Sequence, residues 1–102
     1  MSANAALRAL AEPNRQAILR LVRDEPRSVN EITEQLGISQ QGVSQHLQVL
    51  REAGLLAVRR EGRRRLYEVR PEGLDSVEAF LAELWPARLR ELKQTIEQDR
   101  GG

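Results

Sequence analysis

The chain has 102 residues, 40% of them apolar and 30% charged, with a net charge of +1 and no cysteine. That length suits one domain with a single core, and the lack of thiols excludes disulfides, a thiol redox switch and thiolate metal sites. His46 is the only histidine, which excludes a multi-histidine site within one chain, and no apolar run approaches the length of a membrane span.

The opening MSANAALRAL lacks both the basic start and the long apolar stretch of a secretory signal, so a cytoplasmic protein is expected. Ala5 to Leu10 reads as a short helix with Leu7 and Leu10 on one side. Pro13 suits the first position of a second helix, which carries Ile18, Leu21 and Val22 on one face and stops before Pro26. Ser28 is a good N-cap for a third helix, with Glu31 completing a capping box. Its apolar face is Val29, Ile32 and Leu36, and Gly37 ends it. Ser39 can cap a fourth helix, from Gln40 to about Ala53, which Gly54 terminates. The period then changes: LLAVRR and RRLYEV read as two strands joined by Glu61-Gly62-Arg63. Pro71 opens a final long helix with a kink expected at Pro86. With three aromatic residues in the chain, the core is expected to be aliphatic.

The third and fourth of these helices carry the functional argument. Two helices joined by Gly37-Ile38-Ser39, with apolar Ile32, Leu36, Ile38, Val43 and Leu47 at fixed offsets, match a helix-turn-helix, whose second helix is presented to the DNA major groove. At about 100° per residue, Val43, Leu47, Leu50 and Gly54 fall in one narrow sector, with Gln41, Ser44, Gln45 and Gln48 opposite. Glutamine can pair bidentately with adenine and serine can bond any base edge, so an uncharged amide and hydroxyl face is what direct readout needs. Glutamine is also common on solvated helix faces, and the turn geometry is what favours readout. His46 lies nearer the core sector than the Gln face, which points to partial burial at a helix contact.

The charge distribution adds independent weight. Residues 51–70 hold seven arginines against three glutamates, whereas residues 71–102 hold four basic residues against seven acidic ones. Arg59, Arg60, Arg63, Arg64 and Arg65 cluster at the hairpin tip with only Glu61 among them, and such a cluster repels itself unless a polyanion binds it. The alternative is plain solubilising charge.

The last helix repeats apolar residues at Leu74, Val77, Leu81, Leu84, Trp85, Leu89, Leu92 and Ile96, a stripe longer than one small domain can cover. Pairing with a second copy would bury it, and folding back on its own domain is the alternative. Expected, then, is one mainly α domain over residues 1–102, with about five helices and a two-stranded wing, dimerising through its terminal helices, with residues 71–98 as the dimerisation helix. A winged-helix module that binds an acidic protein partner is the second reading. An enzyme is the weakest, because no nucleophile–base pair, paired carboxylates or Gly-rich phosphate loop is present.

The runs ALAEPNRQAILRLV, SVNEITEQLGISQQGVSQHLQVLREAGLL and RREGRRRLYEV, in that order, resemble the winged helix-turn-helix repressors of the ArsR/SmtB family across Leu7 to Leu74. The resemblance implies a homodimer whose first and last helices, with Leu7, Leu10, Val77, Leu81, Leu84, Trp85, Leu89 and Leu92, form the interface. It implies binding to an imperfect inverted repeat in double-stranded promoter DNA and repression until a signal releases the protein. Position by position, Gln40, Gln41, Ser44 and Gln45 match the base-contacting stretch, Ser39 and Arg51 the phosphate contacts, and the wing arginines follow. The chain also departs from the pattern. Metal sensors of the family carry cysteines on the helix matching Val29 to Leu36, where Asn30, Glu31, Thr33 and Glu34 stand here, or acidic and His ligands on the last helix, where Asp75, Glu78 and Glu83 stand without a His. No metal is expected at either place, and no cofactor. The release signal is left open between a small-molecule effector near the dimer helices, a partner protein and concentration alone. Gln41-Gly42 replaces the Pro-Ala common in the family, and Gly42 weakens the helix start by somewhat under ~1 kcal/mol relative to Ala.

Overall fold

The last carbonyls of helix α1 (Ala3–Leu10) take their side-chain hydrogen bonds from the next helix. In helix α2 (Pro13–Asp24), the Arg15 guanidinium donates to the carbonyls of Ala9 at 2.8 Å and Arg8 at 3.2 Å, and the Gln16 amide donates to Leu10 at 2.7 Å. Carbonyls at a helix C-terminus lack intrahelical partners, so these bonds both finish α1 and fix its angle to α2. Pro13 starts α2 as expected, and Glu12 caps it by accepting the Arg15 N–H at 3.0 Å. A computed structural model of the chain describes residues 3–101, with the side chains of residues 89, 93 and 96–101 outside that description. The expected stripe positions Leu89 and Ile96 therefore lie outside the described side chains.

Helix α3 (Val29–Leu36) carries the full capping box between Ser28 and Glu31, and ends on Gly37 at φ 70°, a left-handed conformation that favours glycine. The chain turns there and enters helix α4 (Gln40–Glu52), whose first turn is capped by Ser39 accepting the Gly42 N–H at 3.0 Å. Ile18 of α2, Ile32 of α3, and Val43, Leu47 and Leu50 of α4 are the largest fully buried side chains, with Ala6 and Ala9 letting α1 approach closely. The core is aliphatic, and Tyr67 is the single aromatic residue in it.

Strands β1 (Leu56–Glu61) and β2 (Arg64–Val69) pair antiparallel with Glu61 opposite Arg64, so Glu61 belongs to the strand and the turn is the two residues Gly62-Arg63 rather than three. The α2–α3 connection adds a bridge that the sequence pattern does not announce. Arg27 and Tyr67 exchange both backbone hydrogen bonds, at 3.0 and 2.7 Å, which pins the base of the hairpin to the helix-turn-helix.

The segment after Pro71 is three pieces instead of one kinked helix: a 3-10 turn (Pro71–Leu74), helix α5 (Asp75–Leu84) and helix α6 (Pro86–Gly101). The break falls on Trp85, at φ −135° and ψ 63°, because the ring of the following proline disfavours helical geometry in the residue before it. The 3-10 turn docks against the end of α4, where Arg70 donates its N–H to Leu55 at 3.0 Å and buried Gly73 lies directly on the Gly54 carbonyl. A Cβ on Gly73 would overlap that backbone oxygen, which cannot rotate away. Gly73→Ala is therefore expected to destabilise the domain by about 1–3 kcal/mol, the range for overpacking a filled site. Urea unfolding at neutral pH checks this, and an unchanged midpoint would mean that the 3-10 turn is free to move off α4.

Candidate nucleic-acid interface

The residues opposite the core sector of α4, Gln41, Ser44, Gln45 and Gln48, are exposed, as are Ser39, Gln40 and Arg51 at its two ends. Of these, Ser39 uses its hydroxyl oxygen as the cap, and the Gln48 amide donates to Glu52 at 3.1 Å, leaving the Gln48 carbonyl oxygen as its outward group. Gln40, Gln41, Ser44 and Gln45 present complete sets of donors and acceptors. Gly42 has a local reason for its place, since a Cβ there would sit 3.1 Å from the Ser39 hydroxyl that caps the helix.

His46 is partly buried at the contact between α4 and the start of α2, as its angular position predicts. The Arg15 guanidinium lies 3.4 Å from its Nδ1, and because arginine only donates, Nδ1 is the acceptor of that contact. Glu12 stands 3.9 Å from the same nitrogen. The ring thus faces α2, away from the Gln face.

Strand alternation divides the wing arginines into two sets. Arg59, Glu61, Arg64 and Glu68 share one face of the hairpin, and Arg60 and Arg65, directly opposed across the strands, share the other with Val58 and Tyr67. The first set is neutralised. Arg59 lies 3.6 Å from Glu61 and 3.9 Å from Glu68, and Arg64 donates to the Glu31 carboxylate of α3 at 2.6 Å. Glu61 is therefore not the sole counterion of the wing. The missed partner, Glu31, is distant in sequence, and only the folded hairpin brings the two together. Arg60, Arg63 and Arg65 have no acidic partner among the described residues. Like charges directly across a strand pair are destabilising, so Arg60 against Arg65 is an arrangement that stability alone does not favour.

The two functional elements meet in one concavity. An open groove of about 750 Å³ runs between α4 and the wing, with Ser44, Gln48 and Arg51 on one wall and Val58, Arg65 and Tyr67 on the other. Arg70, which the sequence reading did not single out, lies on the same groove. Among the described residues no three His, Cys, Asp or Glu side chains are grouped to hold a metal.

A recognition helix with an uncharged polar face, flanked by a hairpin that puts Arg65 on the same groove, defines a winged helix-turn-helix of the DNA-binding class. Residues 10–59 match the helix-turn-helix domain family HTH_20. The chain is 36% identical over 98 residues to the HTH-type transcriptional regulator Rv2034 of Mycobacterium tuberculosis, covering 96% of this chain and 92% of that one. The ArsR-like transcriptional regulator from Rhodococcus sp. RHA1 superposes with a TM-score of 0.74 at 25% identity over 91% of each chain. The homodimeric winged helix-turn-helix DNA-binding domain Mb0332 of Mycobacterium bovis superposes with a TM-score of 0.65 at 31% identity, over 79% of this chain and 75% of that one. The chain belongs to the ArsR/SmtB family of DNA-binding transcriptional regulators.

Two expected outcomes follow from the charge arrangement. The Glu31 carboxyl is held below the usual glutamate range, first by the Ser28 backbone N–H, then by the Ser28 side chain, against an opposing desolvation, with Arg64 and Arg27 adding less. A depressed carboxyl stabilises the fold at neutral pH, and that contribution is lost as pH falls through its folded pKa. Glu31→Gln should therefore melt below the native protein at pH 7, and the gap should close below about pH 4; a gap that persists in acid would place its origin elsewhere. Arg60→Gln should raise stability by about 0.2–1 kcal/mol by relieving the cross-strand repulsion. The same variant should bind DNA less tightly and lower the salt dependence by about one phosphate contact. Thermal melts and salt titrations of one preparation test both, and loss of stability together with binding would make Arg60 a structural residue.

Proposed function

We propose that two copies of this chain pair through their terminal helices and act in the cytoplasm as a repressor, occupying an inverted repeat in promoter DNA. In this reading α4 enters the major groove with Gln40, Gln41, Ser44 and Gln45 at base edges. Ser39 and Arg51 meet phosphates, and the wing arginines Arg60, Arg63 and Arg65 track the backbone or the adjacent minor groove. The observation that carries the reading is the shared groove, which Ser44, Gln48 and Arg51 of α4 line together with Arg65 of the wing.

Pairing is supported by what one copy leaves uncovered. Val77 is buried in its own domain, and Leu10 and Leu81 pack partly against that core. Leu84, Trp85 and Leu92 remain 52%, 55% and 60% exposed, with Leu7 and Phe80 also at the surface. Apolar side chains this large and this close together form a patch that a second copy can cover. The Mycobacterium bovis relative is described as a homodimer, and a 44%-identical relative over 63 residues is named the transcriptional repressor SmtB.

Selection of bound sites from random duplex DNA is the direct test. A two-fold symmetric motif is expected, with half-sites about one helical turn apart; an asymmetric motif, or none, overturns the dimeric reading. On the selected site, Gln45→Ala should lose roughly 1–3 kcal/mol and relax preference at one base pair. Equal weakening on every sequence would remove Gln45 from the reading face.

A further inference from the structure

A second cavity, of about 240 Å³, opens where α2 meets the base of the hairpin, and its floor is Leu10, Leu19, Leu55, Val69 and Leu74. Arg20, Arg23 and Arg70 complete the lining with their aliphatic stems, their charged heads standing on the water side of its mouth. Arg23 lies 3.3 Å from Asp24 and Arg70 lies 3.6 Å from Glu72, both in exposed pairs of small energetic weight. Arg20 has no acidic partner among the described residues. Three cations against two carboxylates leave the mouth net positive. A wholly apolar occupant would leave those cations unused, and a bare inorganic anion would leave the leucine floor in water.

We infer that this cavity binds a small amphipathic carboxylate, its hydrocarbon body on the leucine floor and its head group on Arg20 and Arg70. Arginine suits that head group because its fork of donors matches the two carboxylate oxygens. The site is coupled to DNA through one residue. Arg70 lines both this cavity and the groove between α4 and the wing, and its own N–H bonds the Leu55 carbonyl just beyond the end of α4. A carboxylate that draws the Arg70 side chain into the cavity takes a cation away from the DNA-facing groove, so the bound molecule lowers DNA affinity. By linkage, DNA lowers carboxylate affinity by the same factor. This coupling rests on the DNA-binding reading above, whereas the cavity itself does not.

Octanoate is the probe, with octanol as the neutral match, titrated calorimetrically into the full chain. Octanoate should bind at least about tenfold more tightly than octanol, and Arg20→Glu should weaken octanoate at least about tenfold, the scale of one lost charge-assisted hydrogen bond. Without octanoate, Arg20→Glu should bind the selected DNA as the native chain does. Octanoate should release DNA from the native chain and leave the Arg20→Glu complex intact. Equal binding of octanoate and octanol, or undiminished octanoate binding by Arg20→Glu, overturns the site; a second copy covering the cavity would appear as no binding at all and overturns it equally. Octanoate binding with no effect on DNA affinity overturns the coupling. A native chain that binds no DNA in the absence of octanoate would instead sink the DNA reading, and the calorimetric comparison would stand apart from that failure.

Discussion

The burial of three side chains on one face of α4 is the constraint on which the rest depends. Val43, Leu47 and Leu50 are 0%, 1% and 0% exposed, and each such burial is worth roughly 1.5–3 kcal/mol. That energy is indifferent to what stands on the opposite face. Gln41, Ser44, Gln45 and Gln48 are therefore free of packing duty, and their identities can answer to a ligand alone. The ends of the helix are fixed as firmly as its middle: Ser39 closes the first turn, and Leu55 returns its N–H to Leu50 at 2.9 Å after the last. A reading helix must hold its side chains to a fraction of an ångström against base edges, and this one is held from behind and at both tips.

The hairpin meets a related problem with charge instead of apolar area. A wing crowded with arginine repels itself, and the fold sets carboxylate partners against one of its two faces. Glu31, Glu61 and Glu68 neutralise Arg64 and Arg59, while the Arg27–Tyr67 bridge anchors the strand base. Arg60 and Arg65 keep their charge on the other face, from which Arg65 reaches the groove. The net charge of +1 conceals this, because the acidic excess of residues 71–102 offsets the arginines of residues 51–70.

What was legible in the sequence follows the range of the interactions. Helices α2, α3 and α4 were readable to within a residue or two because caps, prolines and apolar periodicity act over four residues or fewer, and the Gln face of α4 follows from helix geometry alone. The segment after Pro71 was readable only as one long helix with a kink at Pro86: the place of the second break was legible, and the 3-10 turn was not. Its division into a 3-10 turn and two helices depends on Gly73 meeting Gly54 and on the local effect of Pro86 on Trp85. The wing arginines were readable as a cluster, and their division into paired and free members was not. Glu31 and Arg64 meet only once α3 and the hairpin are assembled, and Arg70 joins the groove for the same reason.

Two links tie the terminal helices to α4, and both are stiff. The Arg15 side chain bonds the last carbonyls of α1 while touching His46 of α4, and the 3-10 turn that leads into α5 rests on the Gly54 backbone at the end of α4. Displacing α1 from α4 would break hydrogen bonds at partly buried groups, and displacing the 3-10 turn would open backbone packing that has no side chain to refill it. Helix α1 and the 3-10 turn that leads into α5 are therefore both fixed to the recognition helix. In the proposed dimer, the angle at which two copies meet would then set the separation of their recognition helices directly, and a spacing of about 34–36 Å is what successive major grooves on one side of DNA require. A flexible connection at either link would let each α4 find its half-site independently, and the preference for a fixed spacing would be lost.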